Sequence, residues 1–369
     1  MSANVNMPDV AGSSGAPAGA TDATSALPLR TVGLTRRFGQ RVAVNNLNLE
    51  VYRGDVFGLL GPNGSGKTTT LRMALGLIKP TRGQALLFGV SPVPGPRRRE
   101  VLRRVGAMIE QPAFYPYLTG RENLGVVAAF SGLRDDTSMR ARIAELLAQV
   151  ELGDRPRDAF RTYSMGMKQR LAIAAALLTE PELVLLDEPT NGLDPAGMVE
   201  IRQLIGRLAG QGITVLLSSH LLHEVQSVCT RVAILKQGSL VTQGRVSDLL
   251  AEREGLRLAF DDVDTLTRAA GLLHSASGTS ASWLRGIRYV PAEQGSWTPA
   301  GGHFLQVDAP AEQASEVAAL LAEQRIFPAE MRRQEADLET LFLELTAPGA
   351  AMPAASPAPS ASIMREGAR

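Results

Sequence analysis

The pattern of apolar and polar residues along the chain predicts an α/β fold. Three short, predominantly apolar runs are typical of strands buried on both faces, and they are residues 55–60, 183–186 and 213–217. Residues 42–51 alternate between apolar and polar, as a strand with one solvated face does. Helical patterns follow two of the buried runs, at 67–78 and 196–209. Strands and helices that alternate in this way predict a sheet core with helices packed on it.

A group of helical patterns interrupts the strand pattern between the first and second buried runs. The three segments are residues 121–130, 138–150 and 167–178. They predict a helical subdomain over about residues 112–178.

Composition divides the rest of the chain. Both ends are rich in Ala, Gly, Ser and Pro with few apolar anchors, and we predict that both are disordered. After about residue 250 a smaller α+β pattern begins, and its last helix is predicted at about 336–345. The predicted organisation is a tail, a large domain, an accessory domain and a second tail, at residues 1–28, 29–250, 251–346 and 347–369.

Composition and charge narrow the classes of function. The 369 residues are 44% hydrophobic and 20% charged, as in a protein with an extended core. The net charge is +1, from 38 basic and 37 acidic residues, so the overall balance does not point to nucleic acid or to an anionic membrane surface. The single cysteine, Cys229, excludes an intramolecular disulfide and suits a reducing cytoplasm.

Neither a membrane span nor a secretory signal is predicted. The uncharged stretches of the folded part are shorter or more polar than the ~20 apolar residues that cross a bilayer. Residues 345–364 are uncharged but interrupted by prolines, and the N-terminus has no basic residue before Arg30 and no apolar block. Action at a membrane would therefore require a separate membrane-spanning protein.

The segment from Gly61 to Thr68 fits G-x-x-x-x-G-K-[ST], the Walker A phosphate-binding loop. Its glycines allow backbone N–H groups to point at a phosphate, and the following helix adds partial positive charge. Lys67 would contact the β- and γ-phosphates of a nucleoside triphosphate, and the Thr68 hydroxyl would ligate Mg²⁺. The predicted nucleotide-binding residues of this loop are Gly61, Pro62, Asn63, Gly64, Ser65, Gly66, Lys67, Thr68 and Thr69.

Two carboxylates end the second buried run. Four apolar residues at 183–186 precede Asp187 and Glu188. Open α/β sheets bind ligands at the carboxyl ends of their strands, which would bring both carboxylates to the phosphate loop. Asp187 would hold Mg²⁺ through water, and Glu188 would polarise the attacking water.

A third motif lies between these two. It is Tyr163–Leu171, with the sequence Tyr-Ser-Met-Gly-Met-Lys-Gln-Arg-Leu. In their order and spacing the three motifs resemble those of ABC ATPases, and the resemblance covers about residues 29–250. It implies a P-loop NTPase domain with a mixed sheet core, an antiparallel β subdomain and a helical subdomain, followed here by the small α+β domain. It also implies that ATP is the nucleotide.

Four further positions take their expected roles from this resemblance. Phe38 lies where the family stacks an aromatic ring on adenine. Gln111 matches the Q-loop glutamine, which contacts Mg²⁺ or the attacking water. His220 matches the switch histidine, which holds the γ-phosphate and the catalytic glutamate, and Asp194 ends the D-loop segment, which reports across the dimer interface.

The resemblance implies that two copies pack head to tail as a homodimer with two ATP molecules between them. Each ATP would lie between the phosphate loop of one copy and Ser164 and Gly166 of the other, so closure would depend on the γ-phosphate. The commonest family signature is Leu-Ser-Gly-Gly-Gln. Tyr163, Met165 and Met167 depart from it, while the serine and the second glycine, which would contact phosphate, are retained.

This form of the signature, together with residues 338–346, resembles bacterial exporters of the bacitracin and multidrug resistance type. The membrane subunits of that group are usually separate polypeptides. The resemblance therefore implies an ATPase at the cytoplasmic side of the plasma membrane, bound to separately encoded permease subunits that export a drug, antibiotic or similar hydrophobic compound. Residues 114–118 lie where the family receives the coupling helix of a membrane subunit, and packing into the helical subdomain explains this apolar segment equally well.

A second hypothesis is a soluble, non-transport ABC ATPase that acts on ribosomes, nucleic acid or a regulatory partner. Ribosomal members usually carry two cassettes, and chromosomal members insert a long coiled coil between the phosphate loop and the signature. This chain has one cassette, with 97 positions between Lys67 and Ser164. It lacks a basic stripe with interleaved aromatics, so no nucleic acid partner is expected. Residues 255–346 leave a regulatory role open.

Overall fold

A computed structural model describes residues 27–110, 113–155, 157–251, 255–277, 281–290, 303–334 and 337–346. The predicted tails lie outside these residues, apart from positions 27 and 28, and so does the predicted Q-loop residue Gln111. Leu27 is buried, and the carbonyl of Pro28 accepts a hydrogen bond from Phe88 N at 3.1 Å, so both residues pack on the folded part of the chain.

The secondary structure alternates between strands and helices along most of the described chain. The strands are β1 (Leu29–Phe38), β2 (Arg41–Val51), β3 (Val56–Leu60), β4 (Arg82–Leu87), β5 (Val105–Met108), β6 (Leu183–Asp187), β7 (Thr214–Ser219), β8 (Arg231–Lys236), β9 (Ser239–Arg245), β10 (Gly255–Phe260), β11 (Gly286–Val290), β12 (His303–Asp308) and β13 (Glu330–Gln334). The helices are α1 (Lys67–Ala74), α2 (Arg98–Arg103), α3 (Gly120–Phe130), α4 (Thr137–Gln149), α5 (Met165–Ala176), α6 (Pro195–Gly210), α7 (Leu222–Val228), α8 (Val246–Ala251), α9 (Val263–Ser277), α10 (Ala314–Glu323) and α11 (Leu338–Thr346).

The central sheet has six strands in the order β5-β6-β7-β3-β8-β9. The first five are parallel, and β9 is antiparallel to β8. Alternate side chains of β3 enter two different hydrophobic cores, Val56 and Leu60 on one face and Phe57 and Leu59 on the other. A strand that is buried on both faces needs apolar residues at every position, which explains the continuous apolar runs in the sequence.

A smaller antiparallel sheet has the order β2-β1-β4, and β2 contacts the edge of the central sheet, where Asn45 N donates to Gly238 O at 2.8 Å. The predicted alternation in β2 slips by one position between its buried residues Val44 and Leu47. Asn46 causes this slip because its left-handed φ of 48° produces an irregularity in the pairing with β1. The mixed core, the antiparallel β subdomain and the helical subdomain of α3, α4 and α5 confirm the predicted fold class.

Side-chain caps determine where the helices of this subdomain begin. Thr119 and Glu122 form a reciprocal capping box at α3, and Asp136 accepts a bond from Met139 N at 2.9 Å at α4. Ser164 accepts a bond from Met167 N at 3.3 Å, so α5 begins at Met165 and not at the predicted residue 167. The serine of the signature is therefore the N-cap of a helix.

The first helix is shorter than its apolar pattern predicts. The predicted helix ended at residue 78, but α1 ends at Ala74. The chain leaves the helix at Gly76, which has a φ of 66°, and a Cβ atom there would lie 2.3 Å from Pro92 O. Because only glycine tolerates both conditions, the apolar residues after it, Leu77 and Ile78, belong to a loop.

The C-terminal part has the order βαββαβ, from β10 to β13 with α9 and α10 between strands. Its antiparallel sheet has the order β11-β12-β10-β13, which is the ferredoxin-like arrangement, and it has its own hydrophobic core. The last helix, α11, does not join that core: Leu338 and Leu341 are buried in a core of the first 250 residues. The predicted division of the chain at residues 250 and 251 stays a prediction.

An ion-pair cluster fixes the start of β6. Glu182 accepts from Arg53 Nη1 at 2.7 Å, and it also pairs with Arg104, whose guanidinium lies 3.7 Å from the Phe88 ring centroid. Hydrogen bonds from Arg104, and then from Arg53, lower the pKa of Glu182 from 4.5 to about 2. Because the folded pKa is the lower one, the pair stabilises the fold above pH 4.5, and this contribution is lost as the pH falls from 4.5 towards 2.

We therefore expect Glu182→Gln to lower the free energy of unfolding at pH 7 by about 0.5–1 kcal/mol, a small effect because the pair is partly exposed. Urea unfolding at pH 7 and pH 3.5 measures the difference between the two proteins, which should be smaller at the acidic pH. Glu323→Gln, a substitution at an exposed carboxylate, is the control. A difference that grows towards acid would contradict the assigned pKa shift.

Candidate functional site

The strand β3 leads directly into a loop whose backbone requires glycine. Gly61, Gly64 and Gly66 have φ values of 153°, 81° and 104°. A Cβ atom at Gly61 would lie 2.4 Å from Leu235 O, and one at Gly66 would lie 2.6 Å from Ala43 O. Gly66 is also the N-cap of α1, where no side chain caps the helix. The first N–H groups of α1 therefore face the loop, as a phosphate-binding helix terminus requires.

Lys67 lies across this loop and is almost completely buried. Its Nζ donates to Gly61 O at 2.7 Å and to Pro62 O at 3.3 Å, and it lies 3.2 Å from Glu188 Oε1. The ammonium is thus surrounded by oxygen atoms at the mouth of the loop. Ser65 Oγ is buried as well, and it has no hydrogen-bond partner among the described residues.

Ser218 holds the two carboxylate residues at the end of β6. It lies opposite Asp187 in the parallel pairing of β6 and β7. Its Oγ donates to Asp187 Oδ1 at 2.6 Å and accepts from Glu188 N at 2.9 Å. Glu188 has a left-handed φ of 48°, a conformation that costs a non-glycine residue about 1 kcal/mol or more. The bond from its N–H to Ser218 helps to hold this conformation.

Glu188 joins the phosphate loop to the residue that follows β7. Its Oε1 faces Lys67, while its Oε2 lies 2.8 Å from His220 Nδ1. The Glu188 side chain is 20% exposed, and the His220 side chain is 36% exposed. The structure therefore brings Lys67 together with two residues that lie more than 100 positions further along the sequence, and it places a partly buried carboxylate between two nitrogen groups.

A cavity of about 520 Å³ opens above this group. Most of its lining consists of residues that the sequence predicted, namely Phe38, Asn63, Gly64, Gly66, Lys67, Thr68, Thr69, Glu188 and His220. The predicted residues Gly61, Pro62, Ser65 and Asp187 do not line this cavity. Phe38 is 46% exposed, and the Arg36 guanidinium lies 4.5 Å from its ring centroid. An aromatic ring, a glycine loop, a lysine and a carboxylate share one concave surface.

The sequence analysis missed Arg41, Ala43 and Asn191 in the cavity lining and Ser218 behind it. Arg41 could have been found from the hairpin, because the turn at residues 39 and 40 pairs Phe38 with Arg41. Asn191 is the first residue of the segment assigned to the D-loop, and the sequence analysis gave Asn191 no role. The role of Ser218 depends on the register of β6 and β7, which no sequence pattern fixes.

Three further predicted residues do not line this cavity within the same chain. Ser164 and Gly166 lie at the N-terminal end of α5, where Ser164 is exposed, and neither lines the cavity. Asp194 caps α6 by accepting from Gly197 N at 3.1 Å. Within the described ranges, no group of three or more His, Cys, Asp or Glu residues is arranged to hold a metal ion. The roles predicted for these residues, and for Gln111, stay predictions.

Known proteins share this arrangement. The family described as "ABC transporter" matches residues 44–191. The bacitracin transport ATP-binding protein BcrA of Bacillus licheniformis is 45% identical over 216 residues, which are 58% of this chain and 69% of the relative. The chain belongs to the family of ABC transporter ATP-binding proteins. The lantibiotic transport ATP-binding protein SrtF of Streptococcus pyogenes is 36% identical over 215 residues, which are 58% of this chain and 90% of that relative.

Solved structures agree with the fold of this ABC protein. An ATP-binding subunit of an ABC transporter is 30% identical with a TM-score of 0.53, and the match covers 60% of this chain and 91% of that one. A dimeric ATP-binding cassette in a post-hydrolysis state, bound to ADP and Pi, is 28% identical with a TM-score of 0.53, over 59% of this chain and 98% of that one.

This ABC protein is therefore an ATP-binding subunit that hydrolyses ATP in transport, which favours the first hypothesis over a non-transport ATPase. ATP-binding subunits of this family dimerise and work with membrane permeases. In the described part of the chain, no helix is long and apolar enough to span a bilayer.

We expect Lys67→Ala to weaken ATP binding by about tenfold or more, because it removes the buried ammonium at the mouth of the loop. Equilibrium binding of a fluorescent ATP analogue measures the effect. Lys79→Ala, at an exposed lysine, is the matched control and should bind as the wild type does. Equal affinity of the Lys67→Ala and Lys79→Ala proteins would remove Lys67 from the phosphate site.

We expect Glu188→Gln to keep ATP binding and to lower the rate of hydrolysis by about 100-fold or more, because an amide cannot accept a proton from water. Phosphate release at saturating ATP measures the rate, with Glu180→Gln as a control at an exposed glutamate. Turnover within twofold of the wild type would show that another group acts as the base.

Proposed function

We propose that two copies of this subunit close head to tail on two ATP molecules, and that hydrolysis opens them. One observation carries the proposal. Ser164 is exposed and caps α5, while the cavity that contains Lys67 has neither Ser164 nor Gly166 in its lining. The hydroxyl and the N–H groups at the start of α5 would approach the γ-phosphate of ATP bound to the other copy. Each site would then be complete only in the dimer.

Within each site, the contacts support a different role for each residue. Phe38 would stack on adenine, and the loop of Gly61 to Thr69 would hold the phosphates, with Lys67 exchanging carbonyl partners for phosphate oxygens. Glu188 would accept a proton from the water that attacks the γ-phosphorus. His220 would keep the Glu188 carboxylate in position through its Nδ1 contact of 2.8 Å and would contact the γ-phosphate. Asp194 would report the state of one site to the other.

The donor set of this site suits Mg²⁺. Thr68 lines the cavity. One oxygen of the Asp187 carboxylate accepts a hydrogen bond from Ser218, and the other oxygen would hold Mg²⁺ through water. Mg²⁺ is usually held by one or two protein oxygens together with water and phosphate oxygens, and the Thr68 hydroxyl and the Asp187 carboxylate would supply such oxygens. Bound Mg²⁺ would neutralise charge on the phosphates. We also propose that Gln111 contacts either Mg²⁺ or the attacking water.

We propose that the membrane partner is a separately encoded permease and that the complex, at the cytoplasmic side of the plasma membrane, exports an antibiotic or a similar hydrophobic compound. The relatives named for bacitracin and lantibiotic transport support this substrate class. Their similarity concerns the ATP-binding subunit, so the permease decides which compound is carried.

The aromatic rings of the segment at residues 114–118 differ in their exposure. Phe114 packs edge-on against Phe160, with ring centroids 5.1 Å apart. Tyr115 and Tyr117, in contrast, are 54% and 79% exposed. Exposed tyrosines are typical of binding surfaces, because they offer a large apolar ring with a polar tip. We propose that these two tyrosines contact the permease.

An affinity purification tests the transport assignment. Tagged Glu188→Gln protein with Mg-ATP is added to solubilised native membranes, and partners are identified by mass spectrometry. We expect one multispanning protein, and we expect Tyr117→Ala to reduce its recovery by about fivefold or more, as for a residue central to an interface. Phe130→Ala, at an aromatic residue that is 84% exposed at the C-terminal end of α3, is the matched control. Recovery of soluble partners only, with ATP-dependent dimerisation intact, would contradict a role in transport.

A further inference from the structure

The last helix that the structure describes, α11, packs on the ATPase core beside α7, the helix that follows His220. In α11, Leu338 and Leu341 are 0% and 1% exposed, and they belong to the hydrophobic core that contains Val225 of α7. The helices α11 and α7 are in direct contact. The chain therefore leaves the ferredoxin-like unit after β13 and returns to the domain that binds ATP.

Two hydrogen bonds order the start of α11, and one of them joins it to α7. Leu338 N donates to Gln226 Oε1 at 2.8 Å. The Asp337 carboxylate accepts from Thr340 N at 2.6 Å and caps the helix. Because Leu338 N is one of the N–H groups that a helix leaves without an internal partner, the side chain of Gln226 completes the end of α11. The position of α11 is thus tied to a particular residue of α7.

α7 in turn follows the switch histidine directly. It begins at Leu222, two positions after His220. Its Val225 packs so closely on β3 that a Cβ atom at Gly58 would lie 2.6 Å from Val225 Cγ1. A helix of only seven residues is unstable by itself and depends on its packing. The neighbours of α7 therefore decide where His220 lies, and α11 is one of those neighbours.

We propose that α11 is a positioning element for hydrolysis: by holding α7 it holds His220 against Glu188, and it thereby connects the ferredoxin-like unit to the rate of ATP hydrolysis. Leu338, Leu341 and Gln226 are the positioning residues. The proposal rests on the function proposed above for His220 and Glu188. It gives the C-terminal residues 255–346 a regulatory task within the same chain.

The helix itself supplies a matched pair of substitutions. Leu341 is 1% exposed in the contact with the ATPase core, while Leu343, on the same helix, is 61% exposed. Both changes to alanine remove the same atoms from α11. In the full chain we expect Leu341→Ala to lower kcat about tenfold with an unchanged KM for ATP, since small displacements of catalytic groups cost up to ~100-fold in rate. Leu343→Ala should leave kcat within twofold.

A double-mutant cycle separates positioning from general stability. Single-turnover hydrolysis is measured for the wild type, Leu341→Ala, His220→Ala and the double variant. If α11 acts through His220, Leu341→Ala has less than a twofold effect once His220 is alanine. A full additional tenfold loss in the double variant would overturn the proposal. Gln226→Ala, which removes one hydrogen bond and leaves both cores intact, repeats the cycle if Leu341→Ala fails to fold.

The rate at which a thiol reagent labels the single cysteine is an independent measure of how firmly α7 is packed. Cys229 is the residue directly after α7, it is buried, and burial raises the pKa of its thiol, so it should react slowly with a thiol reagent. We expect Leu341→Ala and Gln226→Ala to speed the labelling of Cys229 about tenfold, through more frequent local opening, and Leu343→Ala to leave it unchanged. A fall in kcat without faster labelling would overturn the proposal.

These measurements also distinguish an error in the role proposed for His220 from an error in the role proposed for α11. If His220→Ala hydrolyses ATP at the wild-type rate, the role proposed for His220 is wrong, and the role of α11 is wrong with it. If His220→Ala is slow while Leu341→Ala and Gln226→Ala keep the wild-type kcat and labelling rate, only the role of α11 is overturned.

Discussion

The parallel, in-register pairing of β3, β7 and β6 is the constraint on which the nucleotide site depends. Leu60 pairs with Ser219, and Asp187 pairs with Ser218, so the three strands end almost level. The phosphate loop, His220 and Glu188 each follow directly after one of these strand ends and therefore emerge at the same edge of the sheet. A slip of one residue would turn Ser218 to the opposite face and separate it from Asp187.

Within that frame, one carboxylate connects the parts of the site. Glu188 contacts Lys67 at 3.2 Å through one oxygen and His220 at 2.8 Å through the other. Both neighbours are partly or wholly shielded from water, where electrostatic contacts are stronger than at an exposed surface. A change in the partners of Lys67, such as the arrival of a phosphate, would therefore be felt at Glu188 and at His220. Under the proposal above, the same contacts would carry an effect of α11 on α7 to the hydrolysis of ATP.

The C-terminal residues contribute two different features. The ferredoxin-like unit has its own core, while α11 shares a core with α7 and the central sheet. The C-terminal residues thus form a core of their own and also a contact with the helix that follows His220. Under the proposal above, a displacement of the ferredoxin-like unit would reach α7 through α11.

The sequence by itself determined which segments form strands and helices, and it indicated the kind of ligand that the site binds. Continuous apolar runs indicated the strands buried on both faces, and Gly61 to Thr68 with Asp187 and Glu188 indicated a triphosphate site, because such loops need glycine, lysine and a hydroxyl at fixed positions. Tertiary structure decided the rest. The Ser218 contact and the position of α11 depend on strand register and on packing between distant segments. Periodicity cannot reveal them, since it records which face of an element is buried but not which element buries it.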